Sequence, residues 1–270
     1  MPFPDAVRAP PRHTQLLPFV VRPSHGDHDL ERVARLRVQA YGRHLPAFAA
    51  RLRTPEAADV ARDTLVLLAE DKLDGRLLGS VRLQLGLARG LPLEASVPLP
   101  AWLTQDGPRV EPTRLVIEAG LHGPLVRNAL FKACYLQARR AGANWLVAAA
   151  RAPLDRLYQR LLFRDVFDDA LPRPMRHIGD LPHRVLALPL REVVALYRAT
   201  DHGLTGFMLD TDHPDLIVDA AGLGEQVASR CCWPCGNGPP DAGTVCTVNP
   251  ERRPGLDRLQ EDPCRERTAA

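Results

Sequence analysis

Charged residues inside apolar runs are the first candidates for chemistry, because a buried charge has to be paired or used. The stretch EPTRLVIEAG (111–120) sets Glu111, Arg114 and Glu118 into a strand-like pattern. A carboxylate there can take a proton from a nearby group, directly or through water. Arg114 can hold a substrate carboxylate bidentately or fix Glu111 in place. A tightly paired Glu111 would have a lowered pKa and be a weaker base. Glu118 falls on the same strand face as Arg114 and Val116 by period two. The plain alternative is an ion pair at a strand edge. Arg37 and Tyr41 lie one helical turn apart, so the arginine can bind a carboxylate or a phosphate beside the ring; the alternative is a solvated arginine next to a core tyrosine. His122, in the turn AGLHGPLVRNA (119–129), can act as a base, although a loop histidine is more often simply exposed.

These residues need elements to position them. FVV (19–21) reads as a short strand, and DLERVARLRVQAYG as a helix capped by Asp27 or Asp29. TLVLLAE (64–70), the turn DKLDG and RLLGSVRLQL (76–85) form a hairpin, with Gly75 where a positive φ is cheap. PTRLVIEAG (112–120) is the next strand. Residues 125–142 carry the clearest 3.6-residue stripe, with Gly142 as the residue after the cap. WLVAAA (145–150) is an apolar central strand. PLDRLYQRLLF (153–163) is a short helix, Phe163–Phe167 and HRVLALPL (183–190) are further strands, and REVVALYRA (191–199) is one more helix. The order predicts a mixed α/β (α+β) fold: an open central sheet with helices on both faces.

The ends differ from this body. Residues 1–18 and 221–270 are rich in proline and short of large apolar residues, and are expected to be unstructured tails around a domain at 19–220. Five of the six cysteines crowd the last 40 residues. CCWPCG (231–236) has no completing ligand set, so no metal site is expected. No secretory leader or membrane-length apolar run is visible, which points to a cytoplasmic protein with free thiols. A net charge of +3 on 270 residues gives no footprint for nucleic acid. Only Lys72 and Lys132 are lysines.

The order of elements resembles the GNAT acyltransferases over about residues 19–190. EPTRLVIEAG resembles the E-x-x-R-L strand shared by acyl-homoserine-lactone synthases and long-chain N-acyl amino acid synthases. LLGSVRLQ (77–84) with LPLE (91–94), RLRVQAYG (35–42) and LFKACYLQARRAGANWLVAAA (130–150) are similar to the second family. The resemblance implies transfer of a long fatty acyl group from a phosphopantetheine thioester, on acyl carrier protein or CoA, to the amine of an amino acid or similar small molecule. It makes Glu111 the base, with Arg114 and Tyr158 as its catalytic companions. Tyr158, in LYQRLLF (157–163), would protonate the departing sulfur, or else be a packed helical tyrosine. Leu162 stands where the family has glycine, so the helix exit is expected to differ.

The same resemblance implies substrate contacts from Arg37, Tyr41, Arg82, Glu118 and Trp102. Donor contacts would come from His122, Gly123, Arg127 and Asn128. The 119–129 turn lacks the usual Q/R-x-x-G-x-G/A pattern, which suits a carrier-borne donor with one phosphate. The leucine-rich loop 86–103 can cap an acyl chain or pack on the core. Arginines 139, 140, 151, 156, 160 and 164 can present a basic face to an acidic carrier protein, or simply form a solvated face. Two alternatives stay open: a conventional GNAT using a short acyl-CoA, with a splayed cofactor cleft and no deep tunnel, and a non-catalytic ligand-binding module that kept the fold.

Overall fold

A computed structural model describes residues 13–86 and 90–218; the cysteine-rich tail and Leu87 lie outside them. Ten strands and six helices follow in chain order. They are β1 (His13–Thr14), β2 (Phe19–Pro23), α1 (Gly26–Gly42), α2 (Pro46–Ala49), β3 (Thr64–Asp71), β4 (Leu77–Gly86), α3 (Ala101–Thr104), β5 (Arg109–Ile117), α4 (Gly123–Arg140), β6 (Trp145–Ala150), α5 (Leu154–Arg160), β7 (Arg164–Asp165), β8 (Arg173–Met175), β9 (Leu181–Pro189), α6 (Val193–Ala199) and β10 (Thr211–Asp212). The main sheet runs β2-β3-β4-β5-β6-β9-β7, with β8 added to β9. Its faces are covered separately. Val126, Leu130 and Cys134 of α4 pack with Leu65, Leu67, Val81 and Leu83 on one side, and Leu30, Val33 and Leu36 of α1 pack with Val66, Leu68 and Val116 on the other.

Two irregularities shape the centre. β5 and β6 are parallel but pair only at Arg109–Trp145 and Val110–Leu146; beyond that point they part. In the β4–β5 pairing the register slips between Ser80 and Arg82, where Arg114 takes φ +54°. That bulge puts two β5 residues opposite one on β4. It ends the period-two alternation that grouped Arg114 with Glu118.

Helix ends follow local rules, with two surprises. α4 closes as expected on Gly142 at φ +70°, with Ala143 N–H donating to Ala138 O and Gly142 N–H to Arg139 O. α5 closes in the same pattern, Phe163 N–H to Tyr158 O and Leu162 N–H to Gln159 O. Leu162 takes φ +67°, a left-handed conformation that costs a leucine about 1–2 kcal/mol. α1 is not capped by Asp27 or Asp29. It begins at Gly26 after His25, and Asp29 accepts from His25 N–H and pairs with Arg22 at 2.6 Å.

Four elements were not legible in the sequence: β1, α3, β8 and β10. β1 pairs with β10, so a strand lies at His13–Thr14, inside the expected leader. Both lysines fasten this C-terminal segment. Lys72 pairs with Asp215 at 2.7 Å, and buried Lys132 donates to Phe207 O, Thr211 O and His213 Nδ1.

Candidate active site

Glu111 lies on β5 just past the last β5–β6 pair, on the face away from α4, and is fully buried. Its Oε2 accepts Leu93 N–H at 3.0 Å, and its Oε1 has no hydrogen-bond partner. Burial pushes its pKa up to about 8, against the opposing pull of the Leu93 amide and of Arg82 and Arg114. Arg114 does not pair with it. The guanidinium goes instead to Glu56, Nε–Oε2 2.8 Å and Nη2–Oε1 2.7 Å, and Nη2 also reaches His177 O at 3.1 Å. Glu111 is therefore a buried carboxyl free of a tight ion pair.

Around it stands a second layer of charge. Arg37 donates through Nη1 to both oxygens of Asp59, at 2.9 and 2.7 Å. Arg82 bonds Thr113 Oγ1 at 3.0 Å, Glu56 at 3.1 Å and Asp59 at 3.2 Å. Burial alone would raise both carboxyl pKa values, but the arginines hold Glu56 and Asp59 below the usual carboxylate range. Arg37 and Arg82 are thus committed to carboxylates of the chain itself. Glu56 and Asp59 went unread because they sit in a short 3₁₀ turn (Ala57–Asp59) without periodicity; the Glu-x-x-Asp spacing, with Asp59 accepting Glu56 N–H at 2.8 Å, was the available signal.

Tyr41, Glu111, Arg114 and Tyr158 line one cavity of about 130 Å³ together with Arg151, His177 and His183. His177 comes from the β8–β9 turn, which the sequence reading left blank. A second cleft of about 460 Å³ lies between β5, α4 and α5, lined by Leu115, Ile117, Arg127, Pro153, Leu154, Arg156, Leu157 and Arg160. Leu115 and Leu154 border both spaces.

The other expected residues fall elsewhere. Trp102 is half exposed and meets Trp145 edge-on at 5.4 Å, lining neither space. Glu118 follows β5 and faces Arg76 at 3.4 Å. His122 is exposed, and it, Gly123 and Asn128 line neither space. Leu91, Leu93, Val97 and Leu103 pack with Val147, Met175 and Val185, so the 90–104 loop is core cover, and through Leu93 it holds Glu111. Tyr158 packs edge-on against Phe131 and Phe163, at 5.3 and 5.0 Å, and burial raises its pKa well above the usual range. Among the described residues no cluster of His, Cys, Asp or Glu could hold a metal ion, and no helix is long and apolar enough to cross a membrane.

The family model for the N-acyl amino acid synthase FeeM matches residues 32–188, more than half of the chain. The chain belongs to the FeeM N-acyl amino acid synthase family. The solved FeeM structure, an N-acyl amino acid synthase from uncultured soil microbes, matches with TM-score 0.53 at 18% identity, over 66% of this chain and 93% of that one. A CoA-dependent acyl-homoserine lactone synthase, BjaI, solved with SAM and isopentyl-CoA, matches with TM-score 0.50 at 15% identity, over 79% and 100%. A search of curated proteins found no match. The fold is GNAT-like, and this FeeM-family member is an N-acyltransferase.

Proposed function

We propose that the enzyme transfers a long-chain fatty acyl group from acyl carrier protein to the amine of an amino acid, with Glu111 as the base. The observation that carries this reading is the buried Glu111 carboxyl, free of a tight ion pair, in a cavity that adjoins the cleft between β5, α4 and α5.

An amine must lose a proton to attack a thioester. In its ionised form, whose share grows as pH approaches 8, a carboxyl with a pKa near 8 accepts that proton far better than one at the ordinary 4.5. Beyond Val110 the β6-facing edge of β5 is unpaired, and its N–H groups can polarise the thioester carbonyl. The second cleft combines leucine, isoleucine and proline side chains, suited to an acyl-pantetheine arm, with Arg127, Arg156 and Arg160, suited to its phosphate. Arg156 and Arg160 are both exposed, where they can meet an acidic carrier protein. For the acceptor, three buried guanidiniums (Arg37, Arg82, Arg114) face two carboxylates (Glu56, Asp59). That leaves one positive charge in excess, and Arg151 stands exposed at the cavity. Both favour an amine that carries a carboxylate.

Purified protein incubated with acyl-carrier thioesters and an amino acid mixture should give N-acyl amino acids by mass. The Glu111→Gln variant should keep its fold and lose about 10²-fold or more in rate. Full activity of that variant with an acyl-carrier donor would remove Glu111 from the mechanism, and exclusive use of short acyl-CoA would favour the conventional GNAT reading.

A further inference from the structure

Glu111 faces a second ionisable group whose own hydrogen-bonding capacity is unused. His177 sits in the 3₁₀ turn Arg176–Ile178, between β8 and β9. That turn is closed by Gly179 and Asp180 at φ +75° and +57° and by Asp180 N–H donating to Met175 O at 3.0 Å. Its backbone is fixed from two sides: Ser96 Oγ accepts Arg176 N–H at 2.9 Å, and Arg114 grips His177 O. The ring is 15% exposed and lines the cavity, its Nε2 3.8 Å from Glu111 Oε1. Neither ring nitrogen has a hydrogen-bond partner, and neither does that oxygen. We propose that His177 and Glu111 form a proton-sharing dyad, in which the neutral imidazole of His177 accepts a hydrogen bond from the proton that Glu111 removes from the acceptor amine.

The proposal rests on the transferase reading and deepens it. As the C–N bond forms, the N–H proton passes to Glu111 Oε1, which turns it toward His177 Nε2. The C–S bond breaks with its electron pair on sulfur, and the thiolate takes a proton from water in the second cleft. Glu111 then returns its proton to water on the side of His183 and Arg151, which line the same cavity. The charged groups facing the pair set its character. Arg114, Arg82 and His183 disfavour a cationic imidazole, while Glu56 favours one, and burial outweighs them all. Glu94 opposes ionisation of Glu111, whereas Arg82 and Arg114 favour it. A dyad holding one proton, on Glu111 beside a neutral imidazole, carries no charge, which suits a site that penalises isolated charge.

Two measurements on the full chain test this. His177→Gln should lower kcat/KM about 10²-fold with KM little changed, leaving a pH profile with a single ionisation. Independently of any acylation, the imidazole ¹⁵N shifts of His177 should step as Glu111 ionises in the parent protein and stay flat over that range in Glu111→Gln. A flat parent curve overturns the dyad, as does full activity of His177→Gln. Lost activity without the coupled step also overturns it, because the ring would then act only by packing. If the parent acylates no amine, the transferase reading fails, while the shift titration still decides whether the two groups share a proton.

Discussion

Arg37 is 1% exposed, yet it places only Nη1 on a partner; Nε and Nη2 have none. Such a guanidinium is tolerable only while Asp59 stands beside it, because an uncompensated buried charge is costly. Asp59→Ala should therefore destabilise the protein by about 3–5 kcal/mol, read as a drop in the urea midpoint. The double replacement Arg37→Met with Asp59→Leu should recover much of that loss, since removing both charges removes the desolvation cost with them. Recovery would identify the pair as scaffold for Glu56 and Arg114 rather than as a substrate clamp. Sequence reading saw Arg37, Arg82 and Arg114 as three separate ligand-binding candidates. The structure spends all three on Glu56 and Asp59, because acidic residues in an aperiodic turn give no facing signal.

At the scale of elements, the site depends on how closely β4 approaches α4. Gly79 lets them meet: a Cβ there would lie 2.9 Å from Val126 Cγ1, 3.0 Å from Val116 O and 3.1 Å from Leu130 Cδ1. One contact is backbone, so repacking side chains cannot relieve it. Gly79→Ala should cost about 1–3 kcal/mol and lower the melting temperature measurably. The hairpin β3–β4, the helix α4 with its glycine-ended cap and the central strand β6 were all legible, because each carries its own period and its own stop signal. β8 was not, since three residues between prolines and arginines have no period to read. The β8–β9 turn that carries His177 was lost with it. The bulge at Arg114 was equally hidden, since nothing in E-P-T-R-L announces a positive φ at arginine.

For the whole molecule, the buried titratable groups set a pH optimum of stability. Glu111 stays protonated in the fold up to about 8, whereas an ordinary glutamate ionises near 4.5. Between those values the unfolded chain binds fewer protons, so this group lowers stability as pH rises. His177 and His213 act in the opposite direction. Burial, with Arg114 and Lys132 respectively, holds them neutral down to about 4 against an ordinary 6.5. As pH falls through that window the unfolded chain takes up protons that the folded chain refuses, and stability falls. Asp29, held near 2 by Arg22 and the His25 amide against its burial, adds its loss only below about 3.8. Two histidines outweigh one glutamate where the windows overlap. Urea midpoints should therefore peak near pH 6.5 and decline toward pH 8. Glu111→Gln should abolish the alkaline decline and leave the acid one. An unchanged alkaline limb in that variant would mean that Glu111 is ionised in the fold at neutral pH.

The sequence alone determined the succession of elements, the strand that carries Glu111 and the resemblance that made it the candidate base, because periodicity, caps and short motifs are properties of neighbouring residues. Only the tertiary structure decided that Arg114 belongs to Glu56, 58 positions away, that the leucine-rich loop is core cover, and that His177 stands opposite Glu111. Local period tells which face a side chain occupies; which distant residue meets it there depends on the bulge, the turn and the parting strands that bring the two faces together.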